Sequence, residues 1–284
     1  MYQTEWCFDL HVHTNRSDGS TSLQETIDLA LDAGITHLSI TDHDICTDPA
    51  IAEPPNESRI RLIPGIELSA YDFENGNRVH ILGYGVDNSH QEVCRLGGLV
   101  LSRRQEAGLD MLARLQQLGF EISLEEVKAI SGESPVIYKQ HLMRVLVEKG
   151  YAQSLFGKLN GELFSRSRPG KVYVPVTYID AIDAVRAIRD SGGLAVLAHP
   201  GLYGNWGVIE KLVKNGLEGI EAYHSAHTAK MTQQALALAD RLDLIVTAGS
   251  DFHGDYNKNP IRLGYTEARL ARFAHHPCIK PFMG

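Results

Sequence analysis

Seven of the thirteen histidines stand at the downstream ends of short apolar runs. His11 and His13 close Phe8-Asp9-Leu10-His11-Val12-His13, His43 follows Leu38-Ser39-Ile40-Thr41-Asp42, and His80 follows Arg78-Val79. His199 follows Leu194-Ala195-Val196-Leu197-Ala198, His224 follows Gly219-Ile220-Glu221-Ala222-Tyr223, and His253 ends Ala248-Gly249-Ser250-Asp251-Phe252-His253. Short apolar runs of this kind read as buried strands. In a strand-then-helix barrel the active site is built where strands end and the following loops begin. Carboxylates at Asp18, Glu67 and Asp251 join the histidines, so the placement predicts one polynuclear metal site drawn from most of the chain.

From Trp6 to Gly85, strand-like runs near 6–12, 35–41, 60–67 and 78–84 accompany a helical stretch from Ser22 to Ala33. Leu23, Ile27, Ala30 and Leu31 have helical spacing there. Ser22 and Glu25 form a capping box, and Gly34 is the stop. Alternation of this kind predicts a mainly parallel sheet or barrel. Between about Ser89 and Gly170, leucines recur at helical intervals as far as Leu118, and further helices are expected over 124–130 and 139–149. Ser165 to Lys171 reads as an exposed basic loop. After Val172 the alternation resumes, with helices over 181–191, 207–215 and 228–241 and strands over 194–198, 217–223 and 243–249. The expected fold class is α/β, with a barrel from 1–88 and 171–284 and a helical insertion, 89–170, forming a substrate-side cap.

A chain of 284 residues can bury a sizeable single core. The 43% hydrophobic and 22% charged content is that of a soluble globular protein. No run approaches the ~18 apolar residues of a membrane span. The N-terminus lacks a basic-then-apolar signal region, so the expected location is the cytoplasm, with no membrane partner. Cys7, Cys46, Cys94 and Cys278 are scattered without a C-x-x-C pair and are expected as free thiols. A net charge of −8 argues against a grip on long nucleic acid. It leaves phosphate substrates open, because divalent ions reverse the local sign.

His11 and His13, two apart on a strand, point to the same side, and Asp18 follows in the turn Ser17-Asp18-Gly19. His43 lies between Asp42 and Asp44, a concentration of polar groups that is costly unless it faces a polar cleft. Glu67 is isolated among apolar residues and needs a metal or a partner. His80 taken alone reads equally as a satisfied core histidine. Asp251 and His253 repeat the spacing of the first pair. Mixed imidazole and carboxylate donors favour zinc, manganese or iron, and the absence of cysteine ligands argues against a purely structural zinc. Nine donors exceed one ion and suit two or three.

These residues, in this order, resemble the polymerase and histidinol phosphatase (PHP) family of metal-dependent phosphoesterases. The signatures are His11-x-His13, Thr41-Asp42-His43, Glu67, His80, His199-Pro200 and Ser250-Asp251-Phe252-His253. The resemblance implies a distorted (β/α)7 barrel with up to three divalent ions. It implies His11, His13, Glu67 and Asp251 on the first ion, with Glu67 bridging to a second held by His80 and His199. Asp18, His43 and His253 would hold the third. The insertion is similar to that of relatives acting on nucleoside 3',5'-bisphosphates or short RNA, where a Gly-Arg-Pro-His signature is common. Here the stretch reads Tyr138-Lys139-Gln140-His141. Lysine lacks arginine's bidentate fork, so phosphate recognition should differ in geometry. That leaves room for a phosphorylated sugar or a cyclic phosphodiester, which some relatives hydrolyse.

The expected chemistry is phosphoester hydrolysis by a metal-bridging hydroxide. His224 and Asp251 are the candidate catalytic residues, His224 as the acid for the leaving alkoxide or as a substrate-orienting group. Arg16, Lys139, His141 and Arg166 are candidates to anchor a phosphate, although each alone also reads as a surface charge. The expected partner is a small phosphorylated substrate, with a short-RNA 5'-3' exonuclease as the alternative. An amidohydrolase would use His11, His13, His199, His224 and Asp251 and leave the other donors without a role. A non-catalytic nucleic-acid module would not need a complete ligand set.

Overall fold

The computed structural model describes residues 6–45, 60–87, 90–166, 168–265 and 270–283. The first apolar runs form β1 (Phe8–Val12), α1 (Leu23–Asp32), β2 (His37–Ile40), β3 (Arg61–Asp72) and β4 (Asn77–Tyr84). Helix α1 starts at the capping box: Ser22 Oγ accepts from Glu25 N, and the Glu25 carboxylate accepts from Ser22 N. Four helices follow: α2 (Gln91–Gln117), α3 (Leu124–Ser131), α4 (Lys139–Glu148) and α5 (Lys158–Phe164). The chain then runs through β5 (Ile179–Asp180), α6 (Ala181–Asp190), β6 (Leu194–Leu197), α7 (Pro200–Tyr203) and α8 (Ile209–Val213). It ends with β7 (Gly219–His224), α9 (Ala229–Leu242), β8 (Ile245–Gly249) and α10 (Ala271–Ala274).

The strands form one sheet in the order β1-β2-β3-β4-β6-β7-β8, with β5 paired to β3. It closes almost completely: Asp251 N donates to His11 O, His13 N to Phe252 O, and Phe8 exchanges two backbone bonds with Tyr265. The result is a nearly closed seven-stranded α/β barrel. Pairing is parallel except at β4, which is antiparallel to both β3 and β6. Only residues 73–76 separate β3 from β4, and a parallel crossover needs a dozen or more residues. Because β4 therefore runs away from the mouth, His80 serves the site from the strand's upstream half, opposite Ser69, rather than from a downstream end. Glu67 likewise sits in mid-strand, since β3 continues past the mouth to Asp72.

The core around the sheet includes Leu10, Ile66, Leu82, Leu197 and Ile220, all 0–1% exposed; Leu10, Ile66 and Ile220 alternate with the inward-facing His11, Glu67 and Glu221 and so pack on the sheet's outer face. Each such burial contributes about 1.5–3 kcal/mol. Helices α2 to α5 enclose a second cluster that includes Leu115, Leu142, Leu146 and Phe164. Arg104 on α2 joins the two regions, donating to Asp44 Oδ2 and Ser69 Oγ at 3.0 Å each while its guanidinium lies 4.7 Å from the Tyr138 ring centre. Gly97 lets α2 approach this closely, because a Cβ there would collide with Asp44 O.

Cys94 is disulfide-bonded, which corrects the expectation of four free thiols. Sequence spacing says nothing about which cysteines the fold brings within bridging distance. Cys7 and Cys278 are free, and Cys46 lies outside the described residues. Among the described residues no helix is long and apolar enough to cross a membrane.

Candidate metal centre

Strands from all round the barrel, and the loops that follow them, deliver nine ligand-type side chains to its mouth, with Glu67 at the middle. Glu67 Oε2 lies 3.3 Å from His11 Nε2, 3.2 Å from His13 Nε2 and 3.0 Å from His43 Nδ1. Its other oxygen lies 2.8 Å from His80 Nδ1 and 3.0 Å from His199 Nε2. Asp251 Oδ1 is 3.5 Å from His11 Nε2 and 3.3 Å from His13 Nε2. Asp18 Oδ1 is 3.1 Å from His253 Nε2 and 3.9 Å from both His43 Nε2 and His13 Nδ1. Three of the resulting groups, His13-Asp18-His43-His253, His11-His13-Glu67 and His43-Glu67-His80, each hold their ligand atoms within 4.8 Å of one another.

The donor set fits bound cations. His11 Nε2, both His13 nitrogens, His43 Nδ1, Asp18 Oδ1 and Glu67 Oε2 are buried without a hydrogen-bond partner. Each such omission costs roughly 1–3 kcal/mol unless something satisfies it. Electrostatics agree. Burial opposes charge on His11, yet Glu221, Glu67 and Asp251 outweigh it and hold the imidazolium well above its ordinary range. Against the same burial, the carboxylates of Asp251 and Glu67, 3.3 and 3.2 Å from Nε2, hold His13 at about 10. Burial would raise Glu67, but His43, His80 and His11 carry it well below the usual carboxylate range. A pocket that gathers protons so strongly is one in which cations can take their place.

Around these side chains lies a ring of carboxylates, two of which, Glu221 and Asp9, sequence reasoning missed. Glu221 on β7 accepts from His11 Nδ1 at 3.0 and 3.2 Å and from His199 N at 2.8 Å, which leaves His11 Nε2 free to ligate. Asp9 accepts from His11 N, Ser250 N and Gly264 N, and burial pushes its carboxyl up to about 6. Asp42 accepts from Thr14 N, Thr14 Oγ1 and Ser17 Oγ, pinning the turn that carries Asp18. The rule applied to Glu67, a carboxylate alone among apolar residues, would have found Glu221 as well. Gly249 leaves space for this arrangement, since a Cβ there would strike the His11 side chain. Asp44, His199 and Asp251 also hold positive φ values of 61°, 27° and 57°. Such backbone costs about 1–3 kcal/mol per residue and persists where the surroundings enforce it.

His224 differs from the other strand-end histidines. Its Nδ1 accepts from Ala226 N at 3.0 Å, so the neutral ring carries its proton on Nε2, 3.6 Å from Asp251 Oδ2. A protonated Nε2 can donate but cannot ligate. Although His224 groups with His11 and Asp251 by distance, this tautomer turns an N–H rather than a lone pair toward Asp251.

Between the cluster and helices α2 to α5 lies a cavity of ≈ 220 Å³ that opens onto Asp18, His43 and His80. Arg78, Lys139 and Arg166 line it, together with Tyr138, Tyr178 and Tyr203. Arg16 and His141 do not line it. Arg16 is half-buried in the turn before Asp18. His141 is buried, its Nδ1 accepts from Tyr138 N, and loss of solvent lowers it to about 4. It caps the start of α4 instead. Arg78 and Tyr203 were not anticipated, because neither stands beside a recognisable motif.

The PHP domain matches residues 9–196. The phosphoribosyl 1,2-cyclic phosphate 1,2-diphosphodiesterase of Eggerthella lenta is 38% identical over 253 residues, covering 89% of this chain and 96% of that protein. The 5'-3' exoribonuclease Rnm of Escherichia coli is 33% identical (87% and 85% covered), and the 3',5'-nucleoside bisphosphate phosphatase of Chromobacterium violaceum is 32% identical (86% of each). A Chromobacterium violaceum structure described as an amidohydrolase with bound sulfate and no metal superposes with a TM-score of 0.79 at 27% identity, covering 91% and 90%. By its strand-end donors, its barrel and these matches, the chain belongs to the PHP-domain family of metal-dependent phosphoesterases, hydrolases of phosphoric ester bonds.

Proposed function

We propose that the protein hydrolyses a small phosphorylated sugar or nucleotide, foremost a cyclic phosphodiester of a phosphorylated pentose, using three divalent ions drawn from manganese, zinc and iron. His11, His13, Glu67 and Asp251 would hold the first, Glu67, His80 and His199 the second, and Asp18, His43 and His253 the third. When bound, the ions supply an activated water and neutralise the phosphoryl oxygens. His224, whose Nδ1 accepts from Ala226 N, would offer its Nε2–H as a hydrogen bond to the departing alkoxide oxygen, which takes its proton from water. Lys139 and Arg166, with Arg78, hold a phosphate that is not cleaved, and helices α2 to α5 act as the cap over it.

The observation that carries this reading is the basic cavity opening directly onto the donor cluster. At ≈ 220 Å³ it is smaller than the roughly 300–1,000 Å³ of pockets for drug-sized ligands. That size suits a sugar phosphate better than a strand of RNA. The diphosphodiesterase among the relatives supports the cyclic ester. An amidohydrolase would leave Asp18, His43, Glu67, His80 and His253 unused, although all five converge with the rest.

The test is hydrolysis, with manganese, followed by chromatography of the ring-opened or shortened products and by phosphate release, over a panel of phosphoribosyl 1,2-cyclic phosphate, pentose phosphates, nucleoside 3',5'-bisphosphates and short oligoribonucleotides. The cyclic pentose ester is expected to give the highest kcat/KM. Preference for the oligoribonucleotide would make the protein an exonuclease. Turnover of amides or lactones alone would remove phosphoester chemistry.

A further inference from the structure

Helix α4 touches the cluster through one side chain. Gln140, its second residue, donates from Nε2 to Asp18 Oδ2 at 2.9 Å. The other oxygen, Oδ1, faces His253 Nε2 at 3.1 Å and His43 Nε2 at 3.9 Å and has no hydrogen-bond partner. The carboxylate is divided in this way: the amide satisfies one oxygen and leaves the other for the cluster. The opposite amide orientation would set oxygen against oxygen, so the donor assignment is the attractive one.

Gln140 is itself held in place. Tyr138 N donates to His141 Nδ1 at 3.2 Å, closing the first turn of α4, and Ile137 N donates to Gln105 Oε1 of α2 at 2.9 Å. The Tyr138 ring packs under the Arg104 guanidinium, which is bound to Asp44, next in sequence to His43. One connected frame therefore fixes both the donor amide and the loop that carries a second member of the same group.

We propose that Gln140 is a positioning residue for the third cation: it restricts Asp18 to ligation through Oδ1 and ties the affinity of that position to the placement of α4. The inference rests on the three-ion reading above. Loss of a partner that orients a metal ligand typically lowers affinity about 10- to 100-fold. The expected effect of Gln140→Ala is a loss of that size at one position, with the other two unchanged. Gln140→Pro, which also lacks the side-chain donor, should do the same, because proline is tolerated in the first turn of a helix.

The experiment titrates metal-free full-length protein with Mn2+, following free Mn2+ by electron paramagnetic resonance and counting bound ions by elemental analysis. Wild type is expected to bind three ions per chain. Both variants are expected to bind two with wild-type affinity and the third about tenfold or more weaker. At limiting Mn2+ they should lose turnover that excess Mn2+ restores. If wild type binds fewer than three ions, the three-ion reading fails and this inference with it. If wild type binds three and both variants bind all three with unchanged affinity, the inference alone is overturned. Equal weakening of every position, or loss of the folded circular dichroism spectrum in both variants, would make Gln140 a general structural residue and also overturn it.

Discussion

The donor cluster and the basic cavity beside it share a boundary at Asp18, His43 and His80 but are built in opposite ways. In the cluster nearly every charged side chain is buried, and the carboxylates of Glu221, Asp9 and Asp42 fix what surrounds it. In the cavity Lys139 and Arg166 are exposed and Arg78 is half-buried, and none of the three is ion-paired among the described residues. Lys139 is held below its ordinary value by partial loss of solvent, which Asp18 opposes and Arg78 and Arg166 reinforce. A buried, fully supported array suits chemistry that tolerates little displacement. Cations without a carboxylate partner suit recognition; Arg78 is steadied by the Tyr178 ring, 4.8 Å from its guanidinium. On the function proposed above, the barrel mouth sets the reaction class and the cavity the choice of substrate.

The largest effect that would sharpen this division is expected from His253→Ala, which removes a donor from the Asp18 group. Turnover should fall by orders of magnitude while the circular dichroism spectrum is kept. Near-wild-type rates would remove the third position from the chemistry. His224→Asn should reduce kcat by about 10²-fold or more for an alkoxide leaving group. The loss should be much smaller for a p-nitrophenyl ester, whose leaving group needs no such hydrogen bond. Equal losses on both esters would make His224 an orienting residue.

The smallest effect concerns the metal-free protein. The folded state raises His13 from 6.5 to about 10 and raises His11 and His253 in the same direction. The stability that their protons contribute is fully present below about pH 6.5 and is lost as pH rises toward 10. Melting temperatures of metal-free protein should therefore fall across that window more steeply than those of manganese-loaded protein. Parallel slopes would contradict the electrostatic picture of the cluster.

The two regions were unequally legible from the amino-acid sequence. Apolar runs mark the strands, so all nine donors brought together at the mouth could be read from the sequence, although Glu67 and His80 act from within strands rather than from their ends. The antiparallel course of β4 was not read, because the short link at 73–76 carries a decisive length that alternation alone ignores. Glu221 passed unnoticed inside a run read for its final histidine. Arg16 shares the turn of Asp18 but does not line the cavity. His141 caps the start of α4, a role that looks the same in sequence as a phosphate contact. Arg78 and Gln140 gain their roles only when β4 and α4 face each other across the cavity, a long-range arrangement with no local signature.

The division of labour itself is tested most directly by steady-state kinetics of Arg78→Ala and Glu67→Ala, side by side, on the best substrate of the panel. For Arg78→Ala the account predicts KM raised about tenfold or more, the loss of a charge-assisted hydrogen bond, with kcat close to wild type. For Glu67→Ala it predicts a kcat lowered by orders of magnitude. A collapse of kcat in Arg78→Ala, or substantial turnover in folded Glu67→Ala, would contradict it.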